Sequence, residues 1–204
     1  MEKWRHADLN IPNGLDKKMK VKEKYQNLSR EELLNKVYEL GANYEYNSYS
    51  CSQCTVAALH DVLGFEDSLV KAATSLCGGT AFQLLGTCGA LSGGIMVLDY
   101  FFGRPVEHLS NKEVIQTPNI DDLFRAQEIA RALCDKYREK YGGITCGGTM
   151  ANLFGRLYFI EDQDELDKFE EAGAHTDPKK CVSVVGNTTR WVMEILLDKG
   201  AVEL

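Results

Sequence analysis

The sequence has 204 residues, a length that suits one domain whose core is large enough to fold without disulfide staples. Hydrophobic residues make up 44% and charged residues 26%, which is ordinary for a globular protein. The net charge of −7 argues against a nucleic-acid or anionic-membrane surface, because both need a basic face. The first residues carry no apolar signal segment, so we expect a cytoplasmic protein.

The first half of the sequence predicts four helices after a polar N-terminal arm over residues 1–28. Ser29 and Glu32 form a capping box that begins the first helix. Gly41 is expected to end it, which leaves a polar, tyrosine-rich loop over residues 43–50. Apolar spacing and stop signals then place the helices of this half at residues 29–40, 51–63, 67–76 and 87–102.

The second half predicts a long amphipathic helix that is capped by Asn119 or Asp121. Cys146 is expected in a glycine-rich loop, ahead of a short helix over residues 150–154. Asp177 followed by a proline predicts the start of the last helix. The sequence therefore predicts one all-α domain over residues 29–204. We expect a compact bundle of six or seven helices with glycine-rich cysteine loops.

Seven cysteines are the most unusual part of the composition. Their number is odd and no export signal precedes them, so we expect thiols for redox or metal chemistry rather than structural bridges. Cys134 is the exception, because it lies beside Leu133 on the long amphipathic helix and is expected to pack as a small apolar residue.

Several cysteines coincide with predicted helix starts. Cys51 and Cys54 fall in the first turns of the second helix, Cys88 near the start of the fourth, and Cys181 in the first turn of the last. Free amide N–H groups and the helix dipole favour a thiolate at such positions.

Glycines follow three of the cysteines directly, in Cys77-Gly-Gly, Cys88-Gly and Cys146-Gly-Gly. Glycine lets a backbone approach a bulky sulfur centre and point its amides at it. Taken one at a time, these glycines would equally suit turns and helix packing.

Four cysteines also occur in an ordered set of motifs. They are Ser52-Gln-Cys54-Thr-Val-Ala-Ala-Leu59, then Gly86-Thr-Cys88-Gly-Ala-Leu-Ser-Gly93, then a lone Cys146, then Cys181 before an apolar helix. Over residues 45–195 this pattern resembles the C_GCAxxG_C_C family of redox-active proteins, and the element from Cys88 to Gly93 is its most specific part. A related module in split-Soret cytochromes c is associated with an iron–sulfur centre. The resemblance implies that Cys54, Cys88, Cys146 and Cys181 are ligands or redox thiols.

The chain departs from this pattern in its additional cysteines. Cys51 and Cys77 are extra near the motifs, so either one is a candidate for a further ligand or for a replacement of a family cysteine. Thr55 follows Cys54 where covalent haem attachment needs histidine, so the haem of the cytochromes is not carried over.

Three functions remain open at this point. The first is an iron–sulfur protein that transfers single electrons and docks a redox partner protein. The second is a metal-free thiol–disulfide oxidoreductase with Cys51 and Cys54 as the attacking pair. The third is a structural zinc site. The sequence assigns no substrate. His175 is a further candidate ligand or proton donor. A homodimer is compatible with the glycine-rich helix and the N-terminal arm, since both could form contacts between copies.

Overall fold

The computed structural model describes residues 17–106, 109 and 118–204, with the backbone alone for residues 118–121. Residues 1–16 of the predicted arm and most of the connection before Pro118 lie outside this part. Within it, the prediction of an all-α fold is confirmed, and the α-helices number eight rather than six or seven. None of the described helices is both long and apolar enough to cross a membrane.

The eight helices follow one another with short connections. They are α1 (Arg30–Ser48), α2 (Cys51–Leu63), α3 (Asp67–Ala72), α4 (Gly89–Phe102), α5 (Pro118–Tyr141), α6 (Cys146–Phe154), α7 (Gln163–Glu171) and α8 (Cys181–Asp198). A short 3-10 helix, Thr74–Leu76, replaces the end of the predicted third helix.

Helix α1 begins as predicted but ends later. Ser29 Oγ accepts the Glu32 amide, and Glu32 Oε2 accepts the Ser29 amide at 2.8 Å, which confirms the capping box. The prediction that Gly41 ends the helix was wrong. A β-carbon at Gly41 would lie 2.2 Å from Thr189 Oγ1, so this glycine permits the close approach of α8 to α1. The helix continues to Ser48, and Tyr49 ends it in the left-handed conformation.

The starts of three later helices also differ from the prediction. Helix α5 begins at Pro118, just before the predicted caps. Helix α6 begins at Cys146 rather than residue 150, because the Thr145 side chain accepts the Gly148 amide at 3.1 Å and caps the glycine-rich turn. Helix α8 begins at Cys181 and not directly after Asp177. The Asp177 carbonyl accepts the Lys180 amide, so residues 177–180 form a turn before the helix.

Two short strands escaped the sequence analysis. Strand β1 (Met19–Lys20) pairs in parallel with β2 (Val202–Glu203), with Met19 opposite Val202. Val21 and Tyr25 follow β1 and are buried, so residues 17–28 of the predicted arm pack against the helical body.

The core has two parts. In the main cluster α1 packs most extensively against α8, and α2 packs against α4, with Leu59, Leu91 and Met193 fully buried. A smaller cluster around Met150 and Phe169 joins α6 and α7. The cysteines concentrate where these two clusters face each other.

Candidate functional site

A cavity of about 590 Å³ lies at this junction, within the size range of small-molecule and cofactor sites. Five of the seven cysteines line it, and they come from five separate segments of the chain. They are Cys51, Cys77, Cys88, Cys146 and Cys181.

Helix starts position four of these thiols. Cys51, Cys146 and Cys181 are the first residues of α2, α6 and α8, and Cys88 is the N-cap of α4. The sequence predicts cysteine at three helix starts. The fourth, at Cys146, follows from the cap at Thr145 that the prediction missed. Four helix N-termini are thus directed to one cavity, which favours bound negative charge or thiolate there.

A short backbone ladder brings two of these helix starts together. Thr87 pairs with Thr145 in an antiparallel bridge. The Cys88 amide donates to the Ile144 carbonyl at 2.8 Å, and the Cys146 amide donates to the Gly86 carbonyl at 2.9 Å. Cys88 and Cys146 therefore leave neighbouring extended segments at fixed positions before their helices begin.

Glycines make room for the sulfur atoms, as the sequence analysis expected. A β-carbon at Gly89 would lie 2.4 Å from Cys51 Sγ, and one at Gly79 would lie 2.9 Å from Cys146 Cβ. A glycine next to one cysteine in the sequence therefore makes space for the side chain of a different cysteine. The sequence spacing alone does not predict this arrangement.

The thiols differ in acidity. A hydrogen bond from the Cys51 thiol, together with the Tyr137 hydroxyl and the Ala90 amide, lowers the pKa of Cys88 despite its burial. The same contact with Cys88, followed by burial, raises the pKa of Cys51. Burial raises the pKa of Cys146, with the neighbouring cysteine charges adding to it. Burial therefore outweighs the expected effect of the helix start on the pKa of Cys146 and Cys181, and the contact with Cys88, followed by burial, outweighs it at Cys51.

The three other cysteines are not at helix starts that face the cavity. Two of them, Cys54 and Cys134, are not among the lining residues. Cys54 is 2% exposed, and it is not among the cavity-lining residues. Cys77 lines the cavity and points its thiol at the Thr74 carbonyl, 3.5 Å away. Cys134 is half-buried on α5 and packs against the main core, away from the lining, as expected. Of the cysteines implied by the family resemblance, the structure brings together Cys88, Cys146 and Cys181.

A charged group that the sequence analysis missed also faces the cavity. Glu45 is 1% exposed and lines the cavity from α1. His175 Nε2 lies 3.5 Å from Glu45 Oε1, and His175 Nδ1 lies 2.6 Å from Glu170 Oε1. Burial lowers the pKa of His175, but the two carboxylates outweigh it, and the net shift is upward. The helical spacing of Val37 and Gly41, continued for one more turn, would have placed Glu45 on the buried face.

Two aromatic residues in strained conformations stand where the cavity reaches the surface. Tyr49 and Phe82 both line it, with 56% and 46% of their surface exposed, and both have positive φ. Phe82 ends a run of positive φ values that begins at Gly78 and includes Thr80. Positive φ in non-glycine residues costs roughly 1–2 kcal/mol each, and such strain clusters at functional sites. Tyr49 also packs edge-on against the His175 ring, 4.7 Å between centroids.

The donor set fits an iron–sulfur cluster in chemistry. Such clusters are held by cysteine thiolates, and the five lining cysteines are free thiols. In the described part of the chain, no three histidine, cysteine or acidic side chains converge on a point where a single ion could bind. Thiolates of a cluster bind different iron atoms, so they do not need to converge in this way.

A comparison with protein families agrees with the cysteine pattern. The family model described as "Putative redox-active protein (C_GCAxxG_C_C)" matches residues 49–195, which include all the cavity cysteines. No curated protein and no solved structure matches the chain at a significant level.

Proposed function

Because the chain belongs to the C_GCAxxG_C_C family, we propose that it is a redox protein that binds an iron–sulfur cluster through cysteine thiolates. The observation that carries the proposal is the convergence of five thiols from five chain segments on one cavity. When bound, the cluster supplies one-electron transfer, and no substrate is implied.

The proposed ligands are drawn from the lining cysteines. Cys88, Cys146 and Cys181 belong to both the family pattern and the cavity. We propose that Cys51 or Cys77 takes the place that the resemblance gives to Cys54, since both thiols line the cavity and the thiol of Cys54 does not.

The residues around these thiols would prepare them for ligation. Tyr137, the Ala90 amide and the Cys51 thiol all stabilise negative charge on Cys88, which makes it the thiol that deprotonates first. The other thiols must release protons when they bind iron, because metal ligation requires the thiolate. Occupation of the cavity by a cluster would also exclude water from the apolar side chains that form its walls.

A redox partner protein is proposed to dock where the cavity reaches the surface. Phe82, Leu85 and Phe159 are exposed by 46%, 87% and 64%, and Phe82 lies on the cavity itself. A contiguous exposed apolar patch marks an interaction site, and we propose that these side chains form such a patch beside the cavity. We place the protein in the cytoplasm, where reducing conditions keep the thiols available for ligation.

The test of the main proposal is anaerobic purification followed by absorption spectroscopy and analysis of iron and acid-labile sulfide. Broad visible absorption with iron and sulfide is expected. A colourless protein without iron after anaerobic reconstitution with ferrous iron and sulfide would contradict the proposal. Zinc bound at one per chain and insensitive to reductant would favour a structural zinc site.

One observation favours a second candidate function. The thiols of Cys51 and Cys88 are in hydrogen-bond contact with opposite pKa shifts, an arrangement found in reactive dithiols. Oxidation would join the two sulfurs in a disulfide and release two protons and two electrons to an acceptor. This pair differs from the Cys51–Cys54 pair expected from sequence. Mass spectrometry of the metal-free oxidised protein would find the Cys51–Cys88 bridge if this function holds.

A further inference from the structure

The buried carboxylate of Glu45 is only partly satisfied by the described residues. Its Oε2 atom is fully buried and has no hydrogen-bond partner among the described residues. The nearest groups to the other oxygen include His175 Nε2, at 3.5 Å. A buried carboxylate without full pairing is strongly unfavourable, and such groups are normally found paired or bound to a metal.

The charges around Glu45 do not balance. His175 lies between Glu45 and Glu170, and one imidazolium offsets only one of the two carboxylates. The described residues that line the cavity include no lysine or arginine. The side chain that faces Glu45 from α2 is Cys54, whose pKa is raised by burial and then by the Glu45 charge. The cavity is therefore short of positive charge on the side of Glu45.

The cavity thiols lie within the electrostatic reach of the same carboxylate. Cys51, Cys146 and Cys181 line the same cavity as Glu45. A cation bound among these thiols would therefore also be attracted to Glu45. Glu45 lies before residues 49–195, so the family match does not include it.

From this geometry we infer that Glu45 supplies an oxygen ligand to an iron atom of the cluster, through the Oε2 atom that has no hydrogen-bond partner in the described part of the chain. The inference rests on the proposed function. The centre then has a mixed set of thiolate sulfur and carboxylate oxygen ligands, and His175, which is itself held by Glu170, orients the Glu45 carboxylate. Outer partners of this kind fix the ligand geometry of metal sites.

An oxygen-ligated iron has a chemical consequence for the site. Carboxylate is a harder ligand than thiolate, and it exchanges more readily on iron. Glu45 would therefore be the protein ligand that an incoming small molecule replaces most easily.

The test compares Glu45→Gln with the wild type after anaerobic reconstitution with ⁵⁷Fe and sulfide. The wild-type Mössbauer spectrum should contain an iron subsite with a higher isomer shift than all-thiolate iron, and Glu45→Gln should lose that subsite. Transfer of iron to a ferrous chelator should be at least about tenfold faster in the variant. Glu39→Gln is the matched control, because Glu39 is an exposed residue of the same helix and should leave both readouts unchanged.

Glu45→Asp keeps the carboxylate and shortens it, so its iron should be released at a rate between those of the wild type and Glu45→Gln. If Glu45→Gln fails to fold, the iron release rate of Glu45→Asp alone tests whether Glu45 is a ligand. Wild-type spectra and chelation rates in a folded Glu45→Gln protein that binds iron would overturn the ligand proposal and leave the cluster proposal intact. A wild type that binds no iron would overturn both.

Discussion

The Cys51 thiol occupies the space that a side chain on Gly89 would fill, since a β-carbon there would lie 2.4 Å from Cys51 Sγ. Gly89 stands next to Cys88 in the sequence, so the motif that presents one thiol also makes room for a second. A β-carbon at this position would also lie 2.8 Å from Cys77 Cα, so a methyl group must displace the Cys51 thiol and the Cys77 backbone or move α4 itself.

We therefore predict that Gly89→Ala reduces bound iron to less than about half of the wild-type content and destabilises the protein by about 1–3 kcal/mol, the range for overpacking. Iron analysis and urea unfolding provide the measurements. Gly143→Ala is the control, because a β-carbon there meets nothing within 4 Å. Equal iron in Gly89→Ala and the control would show that the position of the Cys51 thiol is unimportant.

Cys88→Ala is expected to lose the centre completely. Cys88 combines an N-cap position with hydrogen bonds from the Cys51 thiol and the Tyr137 hydroxyl, so no other cavity thiol replaces it. Cys134→Ala should keep the visible absorption and the iron, because Cys134 packs away from the cavity. An intact centre in Cys88→Ala would refute the proposed ligand set.

Cys54→Ala distinguishes the ligand set implied by the family from the set that lines the cavity. We expect this variant to retain its iron and to lose about 1–3 kcal/mol of stability, because a buried side chain in the main core is shortened. Cys77→Ala, made in parallel, tests whether Cys77 takes the ligand place that the family resemblance gives to Cys54. Loss of iron in a folded Cys54→Ala protein would restore Cys54 as a ligand and place the cluster deeper between α1 and α2.

His175 should make the stability of the metal-free protein depend on pH. Its native pKa is raised above the unfolded value of about 6.5, despite burial, by Glu45 and Glu170. The stabilisation is therefore fully present below about pH 6.5 and is lost as pH rises through the native pKa. His175→Gln should cost about 1.5–3 kcal/mol at pH 5.5, in the range for charged hydrogen bonds, and distinctly less at pH 9.

Urea unfolding of the metal-free proteins across this range measures the effect. His60→Gln is the comparison, since His60 is a partly exposed histidine whose partner is the exposed Asp67. The same loss of stability at every pH in His175→Gln would show that His175 acts by packing alone.

Thr80→Gly should stabilise the protein, contrary to the usual effect of glycine. Thr80 has φ of 69°, a conformation that costs a non-glycine residue roughly 1–2 kcal/mol. The greater freedom of glycine in the unfolded chain offsets roughly 0.5–1 kcal/mol of this. We expect a net gain of about 0.5–1 kcal/mol in urea unfolding. Ala151→Gly in α6, an exposed helical position, should lose about 1 kcal/mol instead.

Local signals in the sequence predicted most of the helical architecture. The capping box at Ser29 and Glu32 gave the correct start of α1, and the predicted end of the second helix at residue 63, just before Gly64, was also correct. Both signals act within one turn of the chain. Gly41 misled the prediction, since its role is contact with α8 and not termination. The strand pair of β1 and β2 was not predictable, because two residues carry no periodicity and their partners are distant in sequence.

The candidate site was predictable in its elements but not in its arrangement. Cysteine at helix starts and glycine beside cysteine were both visible in the sequence. The assignment of residues 43–50 to a loop hid Glu45, which is buried because α1 continues. Sequence spacing also did not reveal that Cys51 meets Cys88 at the cavity, whereas Cys54 is not among the cavity-lining residues. Such contacts depend on how α2 and α4 cross, which no local pattern specifies.

The four helix starts that carry cysteine also have a mechanical consequence. A group bound by all of them would act as a cross-link between segments that extend from residue 51 to residue 181. A ligand that binds only the native state stabilises it, and local opening of bound segments becomes rarer. Amide hydrogen exchange in the first turns of α2, α4, α6 and α8 would then slow together on loading. Helix starts that fray independently in the metal-free protein would behave as one cooperative unit in the loaded one.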